Sequence, residues 1–491
     1  MVSPPCLQAA AQDLDKQPAR LSQGPQSREE AYEAGWGTGV LKTSLCGIVV
    51  ILCCLLLAGC AGVAPAFVGN NGGGGQNPQT PQKITAVNHI IIMMQENRSF
   101  DQYFGSALNA FRAAQGLSQE IDGTPSNVSL KTWDGSPNVS PFHMTSMCSE
   151  NLTSSWQESH ADMNLADQNN IPPNPPMDGF ASMAGGFSQH TGGTDTAGKR
   201  AVGFYTDQDL PFYYWAATQF ATADRFFSAG PFRTQPNRMY LLAATSQGHV
   251  FAPQSTLTAK TIFQLLQEHG ITWRVYVTNN WAPGKTGDTY MNYFDSFTSQ
   301  HVDHFADAKT FAADANSGNL PQVSLIESGY ESGQDEHPLN SVQVGAAYAE
   351  SFVTTLIKSP SWKDSIFFLT FDEGGGLYDH TPPMKTVNPD GIPPMDIPPG
   401  DPPGDFTLSG FRVPVAIISP FAKPHFVSHT SMDFTAMLKF IETRFNLPNL
   451  NNRDAFQPDM TEFFDWTAPN LNPTAAPNQP TNGPCYIDHL P

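Results

Sequence analysis

The chain has 491 residues, a formal net charge of −20 and a hydrophobic fraction of 40%, with 40 Gly and 42 Pro. That length accommodates one large α/β domain or two smaller ones, and the Gly and Pro content points away from a coiled coil or helical bundle and toward a loop-rich protein. An acidic chain is a poor match for a nucleic-acid backbone, which calls for Lys/Arg clusters, whereas an anionic small substrate is admissible where a cation and a few Arg or His residues line the site.

In chain order, residues 1–44 are polar without an apolar period, and Leu45 to Ala58 is strongly apolar. A short apolar segment closing on small residues reads as a secretory signal. Its end, Leu57-Ala58-Gly59-Cys60, resembles the bacterial lipobox, in which the Cys is acylated and becomes the mature N-terminus. An uncleaved signal anchor is the competing reading, but the segment is short for a span, which takes about 20 residues. The long leader is accounted for if translation starts at Val40, leaving Val40 to Ser44 as a short positive n-region. Residues 1–59 are therefore read as leader and signal, and residues 60–83, rich in Gly, Pro, Asn and Gln, as a flexible tether. The expectation is an exported protein, a periplasmic or outer-membrane lipoprotein or a secreted one, touching the membrane through its N-terminal lipid or signal anchor. The folded domain then covers 84–491.

That domain opens with His89-Ile90-Ile91-Ile92-Met93-Met94-Gln95, a strand buried on both faces, followed by Glu96-Asn97-Arg98-Ser99-Phe100-Asp101. Ser99 is placed to cap a helix over 100–104 that Gly105 ends. About 100 residues with few periodic segments follow, a length that is suspicious unless it builds a site. Helices are expected over 210–226, 239–245, 261–269, 346–357 and 431–445, and strands over 273–277, 323–326, 366–371 and 413–418. Strands alternating with helices predict an α/β fold with a mainly parallel sheet. Of seven cysteines only Cys148 and Cys485 fall in this domain, as one bridge or as two free thiols.

Chemistry concentrates where apolar strands stop. Glu96 and Asn97 follow the first strand, and Asp372 and Glu373 follow Ile366–Phe371. In open α/β sheets ligands bind at the carboxyl ends of strands, and four hard oxygen donors there suit a divalent cation. Gly230-Pro231-Phe232-Arg233-Thr234-Gln235-Pro236-Asn237-Arg238 puts Pro236 in the first turn of a helix and Thr234 at its N-terminus. Free amides there favour a phosphate, and a hydroxyl beside a cation can attack phosphorus; the plainer alternative is that Thr234 only caps the helix. The loop histidines His337 and His380 are candidates for phosphate contact or leaving-group protonation. His143 and His160 are weaker ones.

Together these motifs resemble the bacterial phosphoesterase family that contains the non-haemolytic phospholipases C and related acid phosphatases. The residues that carry the resemblance are His-Ile-Ile-Ile-Met-Met-Gln-Glu-Asn-Arg-Ser-Phe-Asp-Gln-Tyr-Phe-Gly (89–105), Pro-Phe-His (141–143), Met-Asp-Gly-Phe (177–180), Thr-x-Pro-Asn-Arg (234–238), Glu-His-Pro (336–338) and Asp-Glu-x-Gly-Gly-x-Tyr-Asp-His (372–380). The resemblance implies an alkaline-phosphatase-like α/β sandwich, with a mainly parallel central sheet and helices on both faces. It implies Glu96, Asn97, Thr234, Asp372 and Glu373 as ligands of a divalent metal and Thr234 as the phosphorylated nucleophile. It further implies His143, His337 and His380 as groups acting on the phosphoryl or leaving group, with His160 and Arg238 toward the substrate. Gly374 stands where many members have Asn, and Phe232-Arg233 lengthens the usual Gly-Pro-Thr. The expected activity is hydrolysis of a phosphoester, a phospholipid among the substrates, through a phosphothreonine. The alternative is a non-catalytic envelope lipoprotein that uses the same fold to bind a ligand or partner.

Overall fold

β1 (His89–Gln95) is buried at every position from Ile90 to Gln95, as a strand covered on both faces must be. In the computed structural model of the chain, which describes residues 84–487 and Leu490, it lies inside an eight-stranded sheet. The leader, signal and tether expected over residues 1–83 lie outside the described residues. Among the described residues no helix is long and apolar enough to cross a membrane.

The other strands of the sheet are β2 (Ala221–Ala223), β3 (Trp273–Val277), β4 (Phe305–Asp307), β5 (Val323–Glu327), β6 (Ser365–Phe371), β7 (Val415–Ile418) and β8 (Phe426–Ser428). Their order is β8-β2-β7-β6-β1-β5-β3-β4. From β4 across to β6 every pairing is parallel. β7 runs antiparallel to both of its neighbours. The sheet is thus mainly parallel, and the carboxyl ends of β1, β5 and β6 share one edge. Register sets the detail: Gln95 pairs with Phe371, and Met94 with Glu327.

The helices that matter below are α1 (Phe100–Tyr103), α2 (Gly105–Ala114), α3 (Trp156–Met163), α4 (Phe180–Thr191), α5 (Pro211–Gln219), α6 (Thr234–Ala243), α7 (Ile262–Glu268), α8 (Phe311–Ser317), α9 (Val342–Lys358), α10 (Thr435–Phe445) and α11 (Asn452–Phe456). On α9, Val342, Ala346, Ala349, Val353 and Leu356 are buried, the recurrence of a helix with one face on the core.

Several sequence expectations change. Gly105 does not end the first helix but opens α2, at φ +25, where a Cβ would lie 2.6 Å from Thr124 Oγ1. Only glycine tolerates both the angle and the approach. The stretch expected as one helix over 210–226 is α5, with Pro211 in its first turn, followed by β2. Phe220 breaks the helical backbone, and the apolar residues after it pair in the sheet. Likewise Met432–Asp433 is a short strand rather than helix, and α10 begins at Thr435. The segment without clear period contains α2, α3 and α4; short, Gly- and Ser-rich helices carry too weak a pattern to be read.

Cys148 and Cys485 form a disulfide with Cα atoms 4.8 Å apart. It joins the C-terminal tail to the segment between His143 and α3. Around it Met147 N donates to Pro484 O (2.6 Å), and Tyr486 N to Ser146 Oγ (2.7 Å).

Candidate active site

Because Gln95 and Phe371 are paired, the residues after them arrive side by side. Asn97 N donates to Asp372 Oδ1 at 3.0 Å, and Asp372 N to Gln95 O at 3.1 Å. Asn97 has φ +61, a left-handed backbone that Asn tolerates better than most residues. Gly375, at φ +67, passes so close that a Cβ would lie 2.8 Å from Asn97 O. The two strand-end pairs are therefore locked together by backbone geometry.

α6 is tied to the same point. Arg238 is fully buried and donates from Nη1 to Met94 O (3.0 Å) and from Nη2 to Gln95 O (3.1 Å). It also meets Glu96 Oε1 at 3.4 Å and Asp372 Oδ2 at 3.5 Å. The expected contact of Arg238 with substrate gives way to this role, a guanidinium under the carboxylates with two of its nitrogens on strand carbonyls. Thr234 lies four residues earlier, so the two share one helix face with Cβ atoms about 5–6 Å apart. Asn237 holds the preceding loop, donating from Nδ2 to Phe232 O at 2.6 Å. Thr234 is the first residue of α6, with Arg233 in the N-cap position making no side-chain capping bond, and is 9% exposed.

The electrostatics are lopsided. Burial, then the neighbouring Asp372, raises the Glu96 carboxyl well above its usual range. Burial and Asp372 likewise lift Glu373 to about 8. Asn97 Oδ1 and Asp372 Oδ2 are buried without a hydrogen-bond partner. Buried oxygens are rarely left so. Unpartnered hard donors beside excess carboxylate are the chemistry a divalent cation satisfies, so Glu96, Asn97 and Asp372 fit one. Glu373 is engaged otherwise, accepting from Ser154 Oγ at 2.7 Å and Gly375 N at 2.6 Å.

A second cluster is built around His380. Asp101, Asp379 and His380 offer ligand atoms that all lie within 4.8 Å of one another, a candidate metal-binding group. Its space is already used. Arg412 Nε donates to Asp379 Oδ1 and Nη2 to Asp101 Oδ1, both at 2.9 Å, and His380 Nδ1 lies 2.7 Å from Asp101 Oδ2. Burial disfavours the imidazolium, but hydrogen bonds to Asp101 and Asp122 outweigh it and raise His380 to about 9. The candidate group is thus also part of an ion-pair network around a buried guanidinium, as the Glu96–Asp372 pair is around Arg238.

The remaining histidines separate. The segment that carries His337 is tied to the end of β1, because Glu96 N donates to Asp335 O at 2.8 Å and His337 N to Asp335 Oδ1 at 3.1 Å. The His337 Nδ1 faces Pro338 O at 2.9 Å; a carbonyl only accepts, so Nδ1 carries the hydrogen of this bond and Nε2 is left for other partners. His143 instead is the exposed residue of a two-residue strand, its Nε2 2.8 Å from Asp209 Oδ2. His160 is buried on α3 with Nδ1 on Trp156 O at 2.6 Å, and burial lowers it to about 4. Neither is brought into hydrogen-bond contact with the Glu96–Asp372 pair. Sequence reasoning did not single out Asp335, Tyr290, Glu327 or Arg412. All four come from loops or strands whose approach to β1 has no local signature, although Asp335 adjoins the His337 motif.

The sequence matches the Phosphoesterase family over residues 87–448. "Phospholipase C B" of Mycobacterium tuberculosis (strain CDC 1551 / Oshkosh) is 30% identical over 434 residues, covering 79% of this chain and 80% of that protein. "Non-specific phospholipase C1" of Arabidopsis thaliana is 30% identical over 417 residues, covering 79% of this chain and 73% of that protein. Among solved structures, a protein in the alkaline phosphatase superfamily from Vibrio parahaemolyticus is 13% identical, with a TM-score of 0.33, covering 72% of this chain and 78% of that one.

Proposed function

The chain belongs to the Phosphoesterase family, and from that premise we propose that it hydrolyses phosphoric esters through a phosphothreonine at Thr234, with phospholipid diesters as the leading substrate class. The observation that carries this reading is Arg238, which ties α6 to the end of β1 and meets Glu96 and Asp372 there, one helical turn after Thr234 on the same helix.

Glu96, Asn97, Asp372 and Thr234 would hold a divalent cation, which supplies Lewis acidity toward the threonine oxygen and the phosphoryl oxygens. The amides at the start of α6 favour an anion. The Thr234 Oγ–P bond forms as the ester O–P bond breaks in line, and the leaving alkoxide takes a proton. His337 is the suitable donor when charged, and its freed Nε2 then takes a proton from the water that cleaves the Thr234 Oγ–P bond, releasing a phosphomonoester from a diester substrate or phosphate from a monoester. The disulfide suits an oxidising compartment, which supports export, and the relatives named as phospholipases C support a lipid substrate.

Thr234→Ala should fold normally and lose on the order of 10³-fold or more in turnover. Acid quenching of wild type during turnover of a ³²P-labelled substrate should leave label on threonine. Wild-type rates in T234A on both an aryl phosphate and phosphatidylcholine would remove the nucleophile assignment. The same pair of substrates ranks monoester against diester.

A further inference from the structure

Glu327 is the last residue of β5, paired with Met94 and hence one strand away from Glu96. Its Oε1 accepts from Thr289 Oγ1 at 2.6 Å and from Tyr290 N at 3.1 Å. These bonds pin the start of the turn Tyr290–Phe294, which lies between β3 and β4 in sequence, to the carboxyl edge of the sheet. The Tyr290 phenol then donates to Glu96 Oε1 at 3.0 Å. The Arg238 guanidinium carbon lies 5.0 Å from the centre of the Tyr290 ring, and Nη2 approaches the same Glu96 oxygen. A remote loop thus reaches a strand end through one hydroxyl.

We propose that Tyr290, held by Thr289 and Glu327, is a positioning residue that orients the Glu96 carboxylate for the divalent cation. The proposal rests on the reading of Glu96 as a ligand. Two donors on Oε1 restrict rotation of the carboxylate, so its other oxygen is presented in one direction. Partners of this kind behind a ligand are worth roughly 10- to 100-fold in metal affinity. If the ring served only for packing over Arg238, a phenylalanine would replace it without consequence.

The test is Mn²⁺ titration calorimetry on the chelator-stripped full chain, comparing wild type, Tyr290→Phe, Thr289→Val and Glu96→Gln, with circular dichroism to check folding. Wild type should bind Mn²⁺ and Y290F should bind it roughly 10- to 100-fold more weakly. T289V, which keeps the phenol but loosens the turn, should lose less, and it carries the test if Y290F folds poorly. Turnover of Y290F should recover as Mn²⁺ approaches saturation, which a general packing defect does not do. Unchanged affinity in Y290F and T289V with impaired binding in E96Q would overturn the positioning role and leave the metal reading standing. No Mn²⁺ binding by wild type, or equal binding by E96Q, would remove that reading and the proposal with it.

Discussion

Arg412 shows how charge is managed at the scale of single residues. Fully buried, it lies over the Phe100 ring and bonds Asp379, Asp101 and the carbonyls of Asp122 and Asp224. His380 is the exchangeable member of this network, because its proton is held to about 9 rather than the usual 6.5. A raised folded-state value means its contribution to stability is complete below pH 6.5 and is lost as pH rises through about 9. Urea denaturation of wild type should therefore weaken between those limits, and His380→Gln should show a shallower slope there. An identical slope in H380Q would assign the proton elsewhere.

Elements are placed by their ends. α6 is positioned by Arg238 and Asn237 inside its first two turns, and β1 and β6 by the exchange between Gln95, Asn97 and Asp372. The junction of α10 and α11 is another case. Asn451 and Asp454 form a capping box, and Leu450 N bonds both Glu442 Oε1 (3.1 Å) and Asp454 Oδ2 (2.7 Å). Burial, then a hydrogen bond to Asp454, raises Glu442 to about 9 from an ordinary 4.5. Its contribution to stability is complete below pH 4.5 and is lost as pH climbs through about 9. Glu442→Gln keeps a donor and an acceptor without a titrating proton. The unfolding temperature of E442Q should therefore decline less than that of wild type from pH 5 to 9, and a parallel decline would mean that Glu442 does not hold the proton.

For the molecule as a whole, the disulfide fixes the tail to the segment that leads from His143 to Ser154, the partner of Glu373. The sequence separation is 337 residues, and loss of such a bridge should cost about 2–5 kcal/mol. Cys148→Ser with Cys485→Ser should lower denaturant stability by that amount, and wild type under reductant should match it; no change in either would mean the tail is held by its hydrogen bonds alone. Much of the rest was legible in the chain itself. β1 and β6 announce themselves as unbroken apolar runs, α7 by Thr261 and Gly270, and the ligand candidates by standing where such runs stop, because burial on both faces of a strand leaves no room for polarity until the sheet ends. What tertiary structure alone decided is contact between segments remote in sequence. It put Arg238 against Glu96 and the carbonyls of β1, where contact with substrate was expected, brought Tyr290 and Asp335 to the same strand end, set Glu373 against Ser154, and closed Cys148 on Cys485. Local pattern reports which face of an element is buried, but parallel register and loop return set what that face meets, and neither leaves a trace in neighbouring residues.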